Sequence, residues 1–177
     1  MFLQQRGKQE TAVAPFAIRW ARVVEDIQEH LVQRTGNFTY VAPAESPHTS
    51  LGQGHYSINQ SMDHLSCFVP GWLALGAQKA GSYLEDPERV LALADALVHT
   101  CYRMYRDMPS RLAPESSRFS LGKLRADARH NLQRPETVES LFVLWRITGN
   151  QKYREWGWDI FEAFEKHAKV PGGGYSG

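Results

Sequence analysis

Apolar residues recur at helical spacing between residues 15 and 36. The helix is predicted to begin at Pro15, because proline is well tolerated in a first helical turn, and to end at Gly36, since glycine favours helix ends. Its apolar positions are Phe16, Trp20, Val23, Val24, Ile27 and Leu31. The pattern predicts an amphipathic helix with a single buried face.

The middle of the chain carries two further helical patterns. One helix is predicted from near Ser61 toward Lys79, with an interruption at Pro70-Gly71. The next begins at Asp86-Pro87, where the aspartate is the N-cap and the proline occupies the first turn. Its apolar residues are Val90, Leu91, Leu93, Ala94, Leu97, Val98, Cys101, Tyr102 and Tyr105. So wide a stripe predicts a helix that is buried on most sides.

The last two helices are predicted to form an αα-hairpin within Arg134 to Lys169. The first begins at Pro135 and ends at Gly149, and the second follows from about Asn150 to His167. The apolar face of the first helix carries Val138, Leu141, Phe142 and Trp145. The turn between the two helices is very short, so they should lie antiparallel.

Two long stretches have no helical pattern, and we interpret both as loops. They are Asn37 to Ser61, which includes a short extended piece at Phe38 to Val41, and Met108 to Gln133. Neither contains convincing strand pairs. The predicted fold class is therefore all-α, with no sheet larger than a short hairpin. Long loops gathered at one end of a helical array are where a functional site is expected.

The composition is that of a globular protein of one domain. The 177 residues are 42% hydrophobic and 22% charged, and the formal net charge is +1. We find no basic stripe of the kind that binds nucleic acid, and no run of about 18 apolar residues that could span a bilayer. Nucleic acid is therefore excluded as a partner. Residues Met1 to Glu10 lack the apolar segment of a signal peptide.

Two features bear on the cellular compartment. The triplets Asn37-Phe38-Thr39 and Asn59-Gln60-Ser61 are acceptors for N-glycosylation, which favours a lumenal or secreted protein. The two cysteines, Cys67 and Cys101, are either buried thiols or a disulfide. Their separation along the chain does not decide between these two states.

The segment from Arg134 to Ser140 is the densest group of candidate functional residues. Glu136 and Glu139 are three residues apart, so they are neighbours on a helix surface, off the predicted apolar face. In one interpretation they face water and complement the helix dipole. In the other they are glycosidase carboxylates, with Arg134 holding one of them ionised. Their close spacing favours shared contacts with substrate or metal-bound water over the separated acid–base pair of an inverting enzyme.

Two isolated polar residues are the remaining candidates. His64 follows Asp63 at the predicted start of a helix, where a histidine is either a structural hydrogen-bonding residue or a functional one. Glu115 lies in the second long loop and is either a solvated acid or part of a site. The spacing of these residues alone leaves both alternatives open.

Three collinear blocks resemble the class I α-1,2-mannosidase family. The most diagnostic block runs from Arg134 to His167 and begins with RPETVESL. The second is SMDHLSCFVPGWLALG, from Ser61 to Gly76, and the third is HTCYRMY, from His99 to Tyr105, followed by LAPES. The opening FLQ and Gly7-Lys8 are similar to the residues just after the family's DSYYEYLLK block. A match over the whole of the first block is far more specific than a short motif.

The resemblance implies a fold and an activity. The fold would be an (α/α)7 toroid, of which residues 1–177 are one partial catalytic domain, incomplete at both ends. The activity would be calcium-dependent hydrolysis, with inversion, of terminal α-1,2-linked mannose from the high-mannose N-glycans of glycoproteins. The alternative is a non-catalytic, lectin-like α-helical module of the same fold that binds glycans.

The resemblance also assigns roles to individual residues. Glu136 matches the family's catalytic carboxylate, which is usually assigned as the general base. Glu115 and Glu139 match acids around the substrate and the calcium-bound waters. Arg134 and His64 match residues that contact the bound sugar. Cys67 and Cys101 match the family's disulfide pair.

Some family features have no match in this sequence. They are the catalytic aspartate of DSYYEYLLK, an earlier acid-side glutamate and the threonine that ligates calcium. We therefore predict that this chain has no metal ligand and that the piece alone has no activity. Arg111 stands where a glycine is common in the family. The implied compartment is the lumen of the endoplasmic reticulum or Golgi, with the parent protein anchored in the membrane by a segment that is absent here.

Overall fold

Five α-helices form most of the structure. The computed structural model describes residues 2–45 and 56–176, with side chains from residue 14 onward. In this part of the chain the helices are α1 (Phe2–His30), α2 (Val69–Ala80), α3 (Pro87–Arg106), α4 (Glu136–Thr148) and α5 (Lys152–His167). Short 3₁₀-helices precede and follow α2, at His64–Phe68 and Gly81–Tyr83.

Short strands occupy much of what was predicted to be loop. An antiparallel hairpin joins β1 (Val32–Thr35) to β2 (Phe38–Val41), and β3 (Ala44–Glu45) pairs with β4 (Ser57–Ile58). A three-stranded antiparallel sheet has the order β5 (Ser61–Asp63), β6 (Ser116–Ser120) and β7 (Lys123–Ala126). The prediction of no sheet larger than a hairpin is therefore wrong, whereas the prediction of an all-α fold is confirmed in part, because helices predominate.

The three-stranded sheet depends on pairing between segments that are far apart in sequence. In β5 and β6, Met62 lies opposite Ser117, and a segment as short as β5 becomes a strand only through that contact. Side chains alternate along β6, with Ser117 and Phe119 buried. Phe119 stacks on Tyr40 of β2 with ring centroids 4.0 Å apart, which joins the sheet to the β1–β2 hairpin.

The first helix differs from its prediction in both its ends and its buried face. It contains Pro15 and ends at His30, while Gly36 lies in the β1–β2 turn with φ of 54°. Its fully buried residues are Ala17, Ala21 and Val24, whereas Phe16 is 70% exposed. Small side chains at these positions allow close packing, so residue size decided which face of α1 meets the core.

The third helix agrees with its prediction. The Oδ1 atom of Asp86 accepts a hydrogen bond of 2.9 Å from the backbone N–H of Arg89, which caps the helix start. Eight of the nine predicted apolar residues are buried, and Leu91 is partly buried. The helix packs against α2, α4 and β2, so it forms the centre of the core.

The predicted hairpin of α4 and α5 is also confirmed, but α4 buries an unexpected face. Gly149 ends α4 in the left-handed conformation, with φ of 70°. The buried residues of α4 are Thr137, Ser140, Leu141 and Leu144, whereas Phe142 is 59% exposed. The prediction placed Val138 and Phe142 on the buried face, and that part is wrong because two hydroxyl residues occupy it.

The Ser140 hydroxyl explains how a polar side chain is accommodated in the core. It donates a hydrogen bond of 2.6 Å to the carbonyl oxygen of Cys67 and accepts one of 2.9 Å from the backbone N–H of Gly71. A Cβ atom added to Gly71 would lie 3.0 Å from the Ser140 Cα, so α4 and the start of α2 approach closely only because residue 71 is glycine. These contacts fix the first turns of α4 in place.

The two cysteines form a disulfide. Cys67 and Cys101 have Cα atoms 5.8 Å apart, which is within the predicted limit of about 7 Å. The bridge ties the 3₁₀-helix that begins at His64 to the middle of α3. It confirms the pairing that the family resemblance implied.

Candidate active site

His64 is at the centre of the candidate site. It follows β5 directly and is only 2% exposed. Its backbone N–H donates a hydrogen bond of 2.8 Å to the carbonyl oxygen of Glu115, the residue just before β6. The pairing of β5 with β6 therefore brings together two candidate residues that are far apart in sequence.

Glu136 meets the His64 ring from the first turn of α4. Its Oε2 atom lies 3.4 Å from His64 Nδ1, and the two side chains are 16% and 3% exposed. Both atoms are shielded from solvent, and neither has a hydrogen-bond partner among the described residues, so the contact is a close approach of two polar groups rather than a formed hydrogen bond. The contact is therefore the main polar interaction that either atom can make, and it orients the Glu136 carboxylate.

Two hydroxyl groups lie on the opposite side of the His64 ring. The hydroxyl of Tyr105, from α3, is 2.8 Å from Nε2, and the Oγ1 atom of Thr137, from α4, is 3.2 Å from the same nitrogen. Tyr105 is 1% exposed and Thr137 is fully buried. The histidine is thus held between a carboxylate on one side and two hydroxyls on the other.

Glu115 and Arg134 form a bidentate ion pair beside this cluster. The Nε atom of Arg134 lies 2.8 Å from each carboxylate oxygen of Glu115, and one terminal nitrogen lies 2.6 Å from Oε1. The Glu115 backbone N–H also donates to the carbonyl oxygens of Ala128 and His130, at 2.9 and 3.0 Å. These bonds hold the segment that leads into α4, and with it Arg134, against Glu115.

The charges of the site follow from these contacts. The Arg134 guanidinium lowers the pKa of the Glu115 carboxyl below its ordinary value, mainly through hydrogen bonding. Burial lowers the pKa of His64, although the charge of Glu136 opposes this shift. At neutral pH we therefore expect Glu115 to be ionised and His64 to be neutral.

The structure thus brings together four of the five predicted site residues. The fifth, Glu139, lies in the first turn of α4 but is exposed. None of the contacts that join His64, Glu115, Arg134 and Glu136 includes the Glu139 side chain. The interpretation as a water-facing acid of the first turn therefore fits Glu139 in this structure. It does not fit Glu136, whose carboxylate contacts a buried ring.

Sequence reasoning missed Tyr105 and Thr137. Tyr105 was assigned only to the apolar stripe of α3, because the partner of a tyrosine hydroxyl cannot be read from helical spacing. Thr137 lies between the two acids of the RPETVES segment, but its burial depends on which face of α4 meets the core. The one available signal was the pair Thr137 and Ser140, hydroxyl residues at i and i+3 in an apolar helix.

The two candidate glycosylation asparagines differ in their surroundings. Asn37 is exposed in the turn of the β1–β2 hairpin. Asn59 is partly buried, and its side-chain amide donates a hydrogen bond of 3.2 Å to Glu45, while its backbone N–H donates to the Pro43 carbonyl at 3.1 Å. That either asparagine carries a glycan stays a prediction, and its exposure makes Asn37 the better acceptor of the two.

The described side chains do not provide a direct set of metal ligands. Within residues 2–45 and 56–176, no group of three or more histidine, cysteine, aspartate or glutamate side chains is arranged to hold a metal ion. The two site carboxylates of lowest exposure are already engaged, Glu115 with Arg134 and Glu136 with His64. A calcium ion coordinated directly by these side chains does not fit this arrangement.

In the same described ranges, no helix is both long and apolar enough to cross a membrane.

Comparison with known proteins gives a consistent set of matches. The model of glycosyl hydrolase family 47 matches residues 2–177. The chain is 39% identical over 170 residues to mannosyl-oligosaccharide 1,2-alpha-mannosidase MNS1 of Arabidopsis thaliana, which covers 95% of this chain and 28% of that protein. It is 40% identical over 182 residues to the endoplasmic reticulum mannosyl-oligosaccharide 1,2-alpha-mannosidase of Homo sapiens, which covers 97% of this chain and 24% of that protein.

The chain therefore spans about a quarter of the length of these relatives. Among solved structures, the alpha-1,2-mannosidase from Trichoderma reesei superposes with a TM-score of 0.75 over 94% of this chain and 36% of that chain. The sequence identity in that comparison is 21%, so it shows a shared fold.

Proposed function

Because this chain belongs to glycosyl hydrolase family 47, we infer that its residues form part of a glycosidase site that removes terminal α-1,2-linked mannose. The substrate we propose is the high-mannose N-glycan of a glycoprotein. Residues 1–177 would then be one part of the catalytic domain, folded as a section of an (α/α)7 toroid. The observation that carries the proposal is the convergence of His64, Glu115, Arg134 and Glu136 from three distant segments.

In this proposal Glu136 is the general base. Its contact with His64 uses Oε2, which leaves Oε1 to accept a proton from the water that attacks the sugar. The His64 ring fixes the direction of the carboxylate, and a fixed base needs little reorganisation during the reaction. In an inverting reaction the acid partner lies roughly 6.5–9.5 Å from the base, with room for this water between them.

Glu115 and Arg134 would bind the sugar. The ion pair keeps Glu115 charged, so its carboxylate oxygens accept hydrogen bonds from sugar hydroxyls or from ordered water. The same pair holds Arg134 as a donor toward the substrate. Glu139 has no partner in the cluster, and we assign it to the substrate side of α4, where an exposed acid can bind a hydroxyl or an ordered water.

The remaining proposals concern the parent protein as a whole. We propose that it depends on calcium and acts in the lumen of the endoplasmic reticulum or Golgi, held there by a membrane anchor. The relatives named for the endoplasmic reticulum and the disulfide support the compartment. The described side chains do not fit a direct calcium site, so the roles proposed for Glu136, Glu115 and Arg134 do not involve the metal.

The test is Glu136→Gln in the full-length protein. The amide cannot accept the proton of the attacking water, so kcat for a Man-α-1,2-Man disaccharide should fall by about 10²–10⁴-fold. Disaccharide binding, measured by calorimetry, should persist. The matched control is Glu88→Gln, because Glu88 is also a first-turn glutamate, on α3, but is exposed and lies outside the cluster, so its variant should keep full activity.

Three outcomes would be informative. Unchanged turnover of Glu136→Gln would remove Glu136 from the role of base. Loss of both binding and turnover would assign Glu136 to substrate binding. A wild-type protein that binds the disaccharide without cleaving it would favour the glycan-binding module over the hydrolase.

A further inference from the structure

The tautomer of His64 can be deduced from its neighbours. A neutral imidazole has one N–H donor and one acceptor nitrogen. Its Nδ1 faces a carboxylate oxygen of Glu136 at 3.4 Å, and an ionised carboxylate only accepts hydrogen bonds. The proton must therefore be on Nδ1, because an unprotonated nitrogen there would place two lone pairs against each other. It follows that Nε2 is the acceptor and needs a donor.

Tyr105 is the group best placed to be that donor. Its hydroxyl is 2.8 Å from Nε2, closer than the 3.2 Å of Thr137. Burial raises the pKa of Tyr105, so the phenol keeps its proton and can donate it to the histidine.

We propose that Tyr105 is a positioning residue that holds the His64 ring and its tautomer in place, so that Nδ1–H faces Glu136 and aims this carboxylate at the attacking water. This proposal rests on the proposed function, in which Glu136 is the base. Tyr105 acts through His64 and does not touch the sugar. Among the described residues of the cluster, Tyr105 alone comes from α3. The Cys67–Cys101 disulfide joins α3 to the segment that carries His64.

The proposal predicts what the loss of the Tyr105 hydroxyl does to the histidine ring. Without it, Nε2 keeps only the longer contact of 3.2 Å with the Thr137 hydroxyl, so the tautomer with Nε2–H donating to Thr137 gains population. The Glu136 carboxylate then loses the fixed donor that orients it. Turnover should therefore fall while substrate binding changes little, because the orientation of the base matters to the reaction rather than to binding.

The experiment compares Tyr105→Phe with Tyr102→Phe in the full-length enzyme. Tyr102 is a suitable control because it also lies buried on α3, and its hydroxyl donates to Asp159, away from the cluster. For Tyr105→Phe we expect kcat to fall by about three- to tenfold, the effect of one hydrogen bond, with KM changed less than about twofold. The fraction of His64 with a protonated Nε2 should rise in Tyr105→Phe only.

A second measurement covers the case in which Tyr105→Phe is poorly folded. In wild-type enzyme labelled with ¹⁵N-histidine, the ring signals of His64, identified by their loss in His64→Gln, should show a protonated Nδ1 and an unprotonated Nε2. A protonated Nε2 would overturn the proposal. So would an unchanged kcat in a well-folded Tyr105→Phe enzyme, and this result would leave Glu136 as the base. Unchanged turnover by Glu136→Gln would instead remove Glu136 from the role of base, on which the proposal rests.

Discussion

Removal of the Cys67–Cys101 disulfide should cost several kcal/mol of stability. The two residues are 34 positions apart. In the chain-entropy model, a cross-link that closes a loop of this length lowers the entropy of the unfolded state enough to stabilise the fold by about 4 kcal/mol. Both cysteines are almost fully buried, so they make no compensating contact with water after reduction.

Two perturbations separate the effect of the cross-link on unfolded-state entropy from the effect of the sulfur atoms on core packing. Reduction of the wild type removes the cross-link but keeps both sulfur atoms, and it should cost about 4 kcal/mol. The double variant Cys67→Ala/Cys101→Ala also removes the sulfur atoms from the core, and it should cost more, because the space they leave is only partly refilled. Denaturant unfolding followed by tryptophan fluorescence, with and without reductant, measures both effects.

One result would contradict the prediction that the disulfide stabilises the fold. If a free-thiol assay shows complete reduction and the free energy of unfolding changes by less than about 1 kcal/mol, the entropic reasoning is wrong for this chain. The double variant should be insensitive to the reductant, which controls for effects of the reagent. Loss of the bridge should also slow catalysis, because the bridge holds the segment of His64 against the helix of Tyr105.

Three further predictions follow from single contacts. Gly71→Ala places a methyl group 3.0 Å from backbone and side chain of α4, and thermal unfolding should show a loss of about 1–3 kcal/mol; unchanged stability would contradict the close approach. When the protein is made in a secretory expression host, glycosidase digestion should change its mobility in gel electrophoresis. Asn37→Gln should abolish this change and Asn59→Gln should not, since Asn37 is exposed and the Asn59 amide is engaged. Because Arg134 lowers the Glu115 pKa, their pair stabilises the fold above pH ~4.3 and loses this effect as pH falls through the folded-state value. Arg134→Met should thus destabilise less in acid than at neutral pH, and an equal loss at both would contradict the pairing.

The sequence predicted the helices that are defined by local signals. The start of α3 follows from Asp86 and Pro87, and the end of α4 from Gly149, because caps and left-handed glycines act on neighbouring backbone groups. The disulfide was implied by the family resemblance rather than by any local pattern. The same resemblance pointed to His64, Glu115, Arg134 and Glu136, which spacing alone had left undecided, but not to Tyr105 or Thr137.

The sheet could not be predicted, because its strands are stabilised by partners far along the chain. The segment β5 is three residues long, and β6 lies more than fifty residues later. Only the pairing of Asp63 with Ser116 places His64 next to Glu115. The part of the site that sequence reasoning missed is therefore the part that depends on tertiary contacts.

Arg111 shows how a departure from a family pattern acquires a physical meaning. The residue adopts φ of 56°, a left-handed conformation that favours glycine, and it stands where the family commonly has one. Its side chain lies 3.9 Å from Asp159 on α5, the acid that also accepts from Tyr102. Both side chains are largely exposed, so this ion pair offsets little of the backbone strain at this turn.

The rigidity of the site arises from tethers that meet at the 3₁₀-helix between His64 and Phe68. The disulfide holds Cys67 to α3, the Ser140 hydroxyl holds its carbonyl to α4, and the Glu115 carbonyl holds the His64 backbone to the sheet. Each tether comes from a different element, so no single helix sets the position of the histidine. Under the proposed function, a base oriented by this histidine is positioned before substrate binds, so loss of any one of these contacts in the full-length protein should lower kcat more than it changes KM.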